Sequence, residues 1–130
     1  MEKETYIKLL KMAGEVSNKA YAPYSKFKVG ASVLFEDGSI YTGCNVENSS
    51  YGLALCAERN AISTAIADGN LTKPVIIAIK SPNRTLCYPC GACRQWVVEF
   101  NKDAEVVLED KDGNPVVFKI SELLPCTFDL

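Results

Sequence analysis

Pro74-Val75-Ile76-Ile77-Ala78-Ile79-Lys80 is a nearly continuous apolar run closed by a lysine. A strand with one wet face alternates apolar and polar residues, whereas a strand covered on both faces reads as an unbroken apolar stretch. The run therefore predicts a central buried strand, and its flanks supply candidate covers. Upstream, Cys56 to Asp68 carries Ala57, Ala61, Ile62, Ala65 and Ile66 on one side at helical spacing, with Gly69 placed to end the helix. Downstream, Ser81 to Tyr88 reads as a loop and Cys90 to Phe100 as another helix.

Further out, Tyr6, Leu9, Leu10, Ala13, Val16 and Ala20 fall at steps of three and four between Glu4 and Tyr21. That spacing predicts an amphipathic helix, ended by Pro23. Val29, Ala31, Val33 and Phe35 alternate within Lys28 to Phe35, a strand pattern. Glu36-Asp37-Gly38-Ser39 is a hairpin turn, and Ile40 to Val46 returns as a second strand. Asn48 to Leu55 is a loop. Glu105 to Leu108 and Val116 to Phe118 are further strands joined by a turn at Lys111-Asp112-Gly113-Asn114, and Ser121 to Leu124 is a short helical turn. The expected fold is α/β, a three-layer α-β-α arrangement around one five-stranded mixed sheet, in a single domain spanning residues 1–130.

With 130 residues, 48% of them hydrophobic and 23% charged, the chain can bury a core of its own. The central run is too short to cross a bilayer, and Met1-Glu2-Lys3-Glu4 opens without an apolar secretory segment. A cytoplasmic protein with no membrane partner is expected. Net charge is −2 and no basic run occurs, so nucleic acid is not the expected partner.

Six cysteines in such a chain point to metal or free thiols rather than disulfides. There is no histidine, which removes Ser-His-Asp and Cys-His nucleophilic systems and every histidine-ligated metal site. Any acid–base work then falls to a carboxylate. Cys56 opens one predicted helix, and Cys90 and Cys93 lie in the first turn of the next, on one face. A helix N-terminus favours the thiolate form that binds metal. Three thiolates suit a catalytic zinc, which needs three protein ligands and an open fourth position. Glu58 follows Cys56 by two and points elsewhere, so it is a poor ligand but a candidate proton shuttle beside the open position. A four-cysteine structural zinc site including Cys87 is the main rival, and buried thiols without metal are another.

Cys56-Ala57-Glu58 followed by Pro89-Cys90-Gly91-Ala92-Cys93 resembles the signature of zinc-dependent nucleoside and nucleobase deaminases. Along nearly its whole length the chain resembles the small homotetrameric cytidine deaminases. Tyr21-Ala22-Pro23-Tyr24-Ser25-Lys26-Phe27-Lys28-Val29-Gly30-Ala31 is similar to that family's N-terminal segment. Gly43-Cys44-Asn45-Val46-Glu47-Asn48 is similar to its ribose-binding strand end, and Leu123-Leu124-Pro125 with Phe128 to its C-terminus.

The resemblance implies hydrolytic deamination of cytidine and 2′-deoxycytidine to uridine and 2′-deoxyuridine, with release of ammonia, in pyrimidine salvage. It implies one zinc per subunit on Cys56, Cys90 and Cys93. Glu58 would take a proton from the bound water, the hydroxide would attack C4, and Glu58 would return protons to N3 and the departing amino group. Phe27 would pack on the base, Asn45 and Glu47 would hold the ribose, and the Ala57 backbone would touch the pyrimidine edge. It further implies a homotetramer with active sites completed by neighbouring subunits, where Tyr51 and Phe128 are the positions of interest. Separately, three thiolates on Zn2+ leave a net negative site, and Arg59 is the expected compensating cation. Blasticidin S deamination, nucleic-acid editing and a non-catalytic zinc module are the competing functions. The Phe27 and Asn45-Val46-Glu47 segments favour cytidine.

Overall fold

The structure, a computed structural model, describes residues 2–129. Its elements are α1 (Glu2–Ser17), β1 (Gly30–Phe35), β2 (Ile40–Cys44), a 3-10 turn (Tyr51–Leu53), α2 (Ala57–Ala67), β3 (Pro74–Lys80), α3 (Gly91–Phe100), β4 (Glu105–Glu109), β5 (Pro115–Lys119) and α4 (Ile120–Leu123). The strands form one sheet in the order β2-β1-β3-β4-β5. β1 is antiparallel to both β2 and β3, β3 runs parallel to β4, and β5 closes the far edge antiparallel to β4. The sheet is mixed, and the predicted central strand occupies its middle.

Residue alternation along the strands divides the core in two. Val33, Phe35, Ile77, Ile79, Val106 and Leu108 face Ala61, Ile62 and Ala65 of α2 and Val97 and Val98 of α3. Ala78 and Val107 face Tyr6, Leu9 and Leu10 of α1. Buried Ser32 also faces α1 and donates its hydroxyl to the Leu9 carbonyl at 2.6 Å, so its polarity is satisfied. The apolar run of β3 is thus explained: both of its faces are covered, and the three layers are α1, sheet, and α2 with α3.

Two glycines bring the layers unusually close. A Cβ at Gly30 would stand 1.9 Å from the Ala13 carbonyl oxygen of α1. A Cβ at Gly43 would stand 2.5 Å from the Ala61 nitrogen and 2.6 Å from the Ala57 oxygen of α2. Only hydrogen fits at either position. Asn60 adds a second tie between α2 and the end of β2, donating its amide to the Cys44 carbonyl at 2.7 Å.

Most boundaries fall within one or two residues of the sequence expectation, and three of the displacements have a visible cause. α1 ends at Ser17 rather than Tyr21, because Tyr21 N–H is taken by the Asn45 carbonyl at 3.0 Å and Tyr21 bridges to Val46. The chain from Lys28 does not enter β1 until Gly30, since Val29 N–H bonds the Asn45 side chain, not a neighbouring strand's backbone. β2 ends at Cys44 rather than Val46, which instead pairs in isolated bridges with Tyr21 and Leu55. Ile66, expected on the buried side of α2, is exposed.

Candidate active site

Cys56 and Cys90 are the N-cap residues of α2 and α3, and neither side chain makes a capping hydrogen bond. An N-cap is normally Ser, Thr, Asp or Asn because its oxygen satisfies an orphan amide of the first turn. Here both caps are sulfurs that leave those amides alone and face each other. With Cys93 they form a group whose three sulfurs lie within 4.8 Å of one another. Zinc–sulfur bonds of about 2.3 Å in a tetrahedron place sulfurs about 3.8 Å apart, so the cluster fits a zinc ion with little adjustment. Soft thiolates are also the donor type that selects zinc. This group is able to hold the metal. Cys87 is outside it.

Arg59 Nη2 donates to Cys56 Sγ at 3.0 Å, and Arg59 Nε is buried without a hydrogen-bond partner among the described residues. The guanidinium is thus held at the sulfur even though one of its own N–H groups goes unsatisfied. A hydrogen bond from Cys93, followed by the Arg59 guanidinium, pulls the Cys56 thiol down to about 5. The same hydrogen bond and burial push the Cys93 thiol up, because it is the partner that keeps the proton.

Beside the cluster opens a cavity of about 260 Å³ lined by Phe27, Asn45, Glu47, Cys56, Ala57, Glu58 and Cys90, with Val29, Ala54, Leu55, Ile79, Cys87 and Tyr88 completing its walls. Glu58 stands in the first turn of α2 and is only 5% exposed. Burial pushes its carboxyl up, and the Cys56 charge adds to that push. Glu47 goes the opposite way. Its Oε1 accepts the Tyr24 and Ser25 backbone amides at 3.0 and 3.2 Å, and its Oε2 accepts the Ser25 hydroxyl. The Ser25 hydroxyl, then these amides, hold the carboxyl below the usual range. One cavity therefore holds a carboxyl disposed to carry a proton and a second that stays an anion. Environments that push two carboxyls apart assign them different work.

Asn45 is fixed at both ends of its amide. Its oxygen accepts Val29 N–H and its nitrogen donates to the Phe27 carbonyl, each at 2.8 Å. One amide N–H and one lone pair remain for a ligand, as does part of the Glu47 carboxylate's acceptor capacity. Between them Lys26 adopts φ 61°, a left-handed conformation unusual for a side chain of its size, in the turn that delivers Phe27 to the cavity.

The expected site residues Phe27, Asn45, Glu47, Cys56, Ala57, Glu58 and Cys90 thus share one cavity, with Cys93 behind it and Arg59 at the Cys56 sulfur. Sequence reading missed the lining residues Val29, Ala54, Leu55, Ile79 and Tyr88, which carry no catalytic signal, and the Ser25 buckle on Glu47. It did flag Cys87. That buried thiol lines the cavity and is pushed up to about 11 by burial and then by the Glu58 charge, so it is a protonated wall rather than a nucleophile.

A three-layer α/β domain that sets a cluster of three thiols beside a cavity lined by a buried carboxyl has the architecture of a zinc-dependent deaminase. Residues 3–109 match the family model described as cytidine and deoxycytidylate deaminase zinc-binding region. The cytidine deaminase of Sporosarcina psychrophila is 42% identical over 122 residues, 93% of this chain and 89% of that protein. That of Halalkalibacterium halodurans is 43% identical over 121 residues, 92% of this chain and 91% of that protein. The crystal structure of cytidine deaminase from Burkholderia pseudomallei superposes with a TM-score of 0.85 at 44% identity, covering 93% of this chain and 97% of that one. The chain belongs to the cytidine deaminase family.

Proposed function

We propose that the protein hydrolyses cytidine and 2′-deoxycytidine to uridine and 2′-deoxyuridine, releasing ammonia. The observation that carries this reading is the shared cavity: a buried carboxyl, a cluster of three thiols and an anchored Asn45–Glu47 pair all line or adjoin it. Cys56, Cys90 and Cys93 hold one zinc per subunit. Zinc, when bound, supplies the Lewis acidity that makes water nucleophilic at neutral pH. Glu58 would take one proton from the attacking water and pass it to the pyrimidine N3, then take the proton of the new C4 hydroxyl and pass it to the amino group, which leaves as ammonia. Its raised proton affinity suits a group that must be both base and acid near neutral pH. Phe27 gives the base a flat apolar wall, and the Ala57 backbone meets the pyrimidine edge. Asn45 and Glu47 hold the ribose with the capacity their scaffold bonds leave free, and Arg59 offsets the negative charge of the sulfurs.

The test is an ultraviolet assay of cytidine loss, run beside 2′-deoxycytidine and blasticidin S, with zinc content measured on the same sample. Glu58→Gln is expected to fold and keep its zinc while losing deamination by about 10²–10⁴-fold. A Glu58→Gln enzyme with wild-type turnover removes Glu58 from the mechanism, and zinc without any turnover favours the non-catalytic module.

The working form is a homotetramer whose active sites are completed by neighbouring subunits. Supporting this, Tyr51, Leu53 and Phe128 are 77%, 66% and 70% exposed, and Tyr24 and Tyr51 line a hollow that shares Glu47 with the main cavity. Large apolar side chains left bare around a ligand site mark an interaction surface. Sedimentation at the mass of one 14.2 kDa chain would count against it. The enzyme acts in the cytoplasm, in nucleoside salvage; its six cysteines are all free, as a reducing compartment keeps them. Recovery of the protein from an exported fraction contradicts that location.

A further inference from the structure

Cys90 is presented by a loop, not by a regular element. Residues 81–90 between β3 and α3 include no helix or ladder strand, and Cys90 is itself exposed. Its sulfur can be held in place only if the backbone on either side of it is held. Arg94 does both jobs from one turn along the helix. Its backbone N–H donates to the Cys90 carbonyl at 3.0 Å, the ordinary first bond of α3. Its side-chain Nε donates to the Pro89 carbonyl at 2.8 Å, a group that precedes the helix and has no place in its ladder. The segment closed by these two bonds contains both Cys90 and Cys93.

The same guanidinium reaches a third carbonyl. Arg94 Nη1 donates to Leu123 O at 2.8 Å, at the end of α4. Further contacts keep the last residues on α3: Gln95 Nε2 donates to the Phe128 carbonyl at 2.9 Å, and Tyr88 packs its ring on Phe118 of β5 at 5.6 Å. The C-terminal part of the chain is thereby attached to the loop that carries a ligand sulfur.

We propose that Arg94 is a positioning residue for the metal centre: its planar fork holds the Pro89 and Leu123 carbonyls together and so fixes the loop presenting Cys90 to the ion. The inference rests on the zinc reading given above. Charge alone does not do this work. A lysine ammonium is a point charge on a flexible stem and does not reproduce two donors in one rigid plane. Groups that orient a ligand typically contribute 10–100-fold in metal affinity or activity.

The experiment compares wild type, Arg94→Lys and Arg94→Met as whole proteins. Zinc release is followed with a chromogenic chelator, and Tm is recorded with and without zinc. Zinc affinity is expected to fall by about 10–100-fold in both variants. The zinc-dependent rise in Tm should shrink to match, since that rise measures binding to the folded state. With saturating zinc, KM should change little. Arg94→Lys that retains zinc like wild type overturns the proposal, as does an equal drop of Tm with and without zinc at unchanged release. If Arg94→Met does not fold, Arg94→Lys decides alone. Wild-type protein that neither contains nor takes up zinc overturns the zinc reading and the clamp with it. Zinc-loaded wild type beside an equally retentive Arg94→Lys overturns the clamp only.

Discussion

Replacing Gly43 with alanine inserts a methyl group where β2 passes under the first turn of α2. The new carbon would lie 2.5 Å from the Ala61 nitrogen, 2.6 Å from the Ala57 oxygen and 3.0 Å from the Asn60 carbonyl carbon. All three are backbone atoms, so no side chain can rotate away. Ordinary contact begins at 3.4 Å, leaving about 0.9 Å to be made up by moving the helix. Overpacking of this kind costs about 1–3 kcal/mol. The larger effect is expected at the site, because the displaced turn carries Cys56, Ala57 and Glu58. A 1 Å misplacement of catalytic groups can cost about 100-fold in rate. The assay is deamination per zinc-loaded folded molecule, with zinc content and Tm on the same preparation. Gly30→Ala is the control for stability: its methyl meets α1, at 1.9 Å from the Ala13 oxygen, and should lower Tm while sparing zinc content and turnover of the folded fraction. If Gly43→Ala keeps wild-type turnover and zinc, the close approach does not position the site and the reasoning fails.

Arg59→Ala removes the cation at the Cys56 sulfur and should lower kcat by about 10–100-fold with zinc retained; an unchanged kcat refutes charge compensation. The alkaline limb of stability should be softened by Tyr6→Phe. Burial, then a 2.7 Å hydrogen bond to Glu105, raise the Tyr6 phenol from 10.0 to about 12. Its contribution is fully present below pH 10, where the hydroxyl stays protonated in both states, and drains away as pH rises from about 10 to 12. That contribution is on the order of 1–2 kcal/mol, and Tyr6→Phe should unfold with a shallower loss over this range in alkaline denaturant melts. An identical slope in the two proteins refutes it.

The elements most legible in the sequence were those whose environment is local. Pro74–Lys80 reads as a strand covered on both faces, and its observed bounds agree. The three cysteines were legible because helix starts and thiol spacing are short-range facts. What was not legible depended on partners distant in the chain. Tyr21 continues a helical spacing, yet the strand end at Asn45 and Val46 draws it out of the helix. Val29 alternates like a strand residue, but the Asn45 side chain takes its amide. Asn45 and Glu47 themselves were expected as ribose contacts; that both also brace the Tyr24–Val29 segment could not be read from their positions. Arg94, directly after Cys93, was visible in the sequence but gave no hint that its two partners lie before it and 29 residues beyond it.

Gly30 and Gly43 sit side by side in the β1–β2 ladder, where Gly30 pairs with Cys44 and Ala31 with Gly43, and they bare opposite faces of the sheet. At that corner α1 and α2 rest on the same two strands with main chain against main chain. Elsewhere the layers are separated by side chains, which act as springs because they can change rotamer and take up load. Here there is nothing soft to compress. Hydrostatic pressure or thermal breathing should therefore alter the spacing of the layers last at this corner, and the first turn of α2 inherits that stiffness. The molecule forgoes adjustability there: substitutions elsewhere in the core can be absorbed by repacking, but none can retune how far Cys56 and Glu58 stand above the sheet.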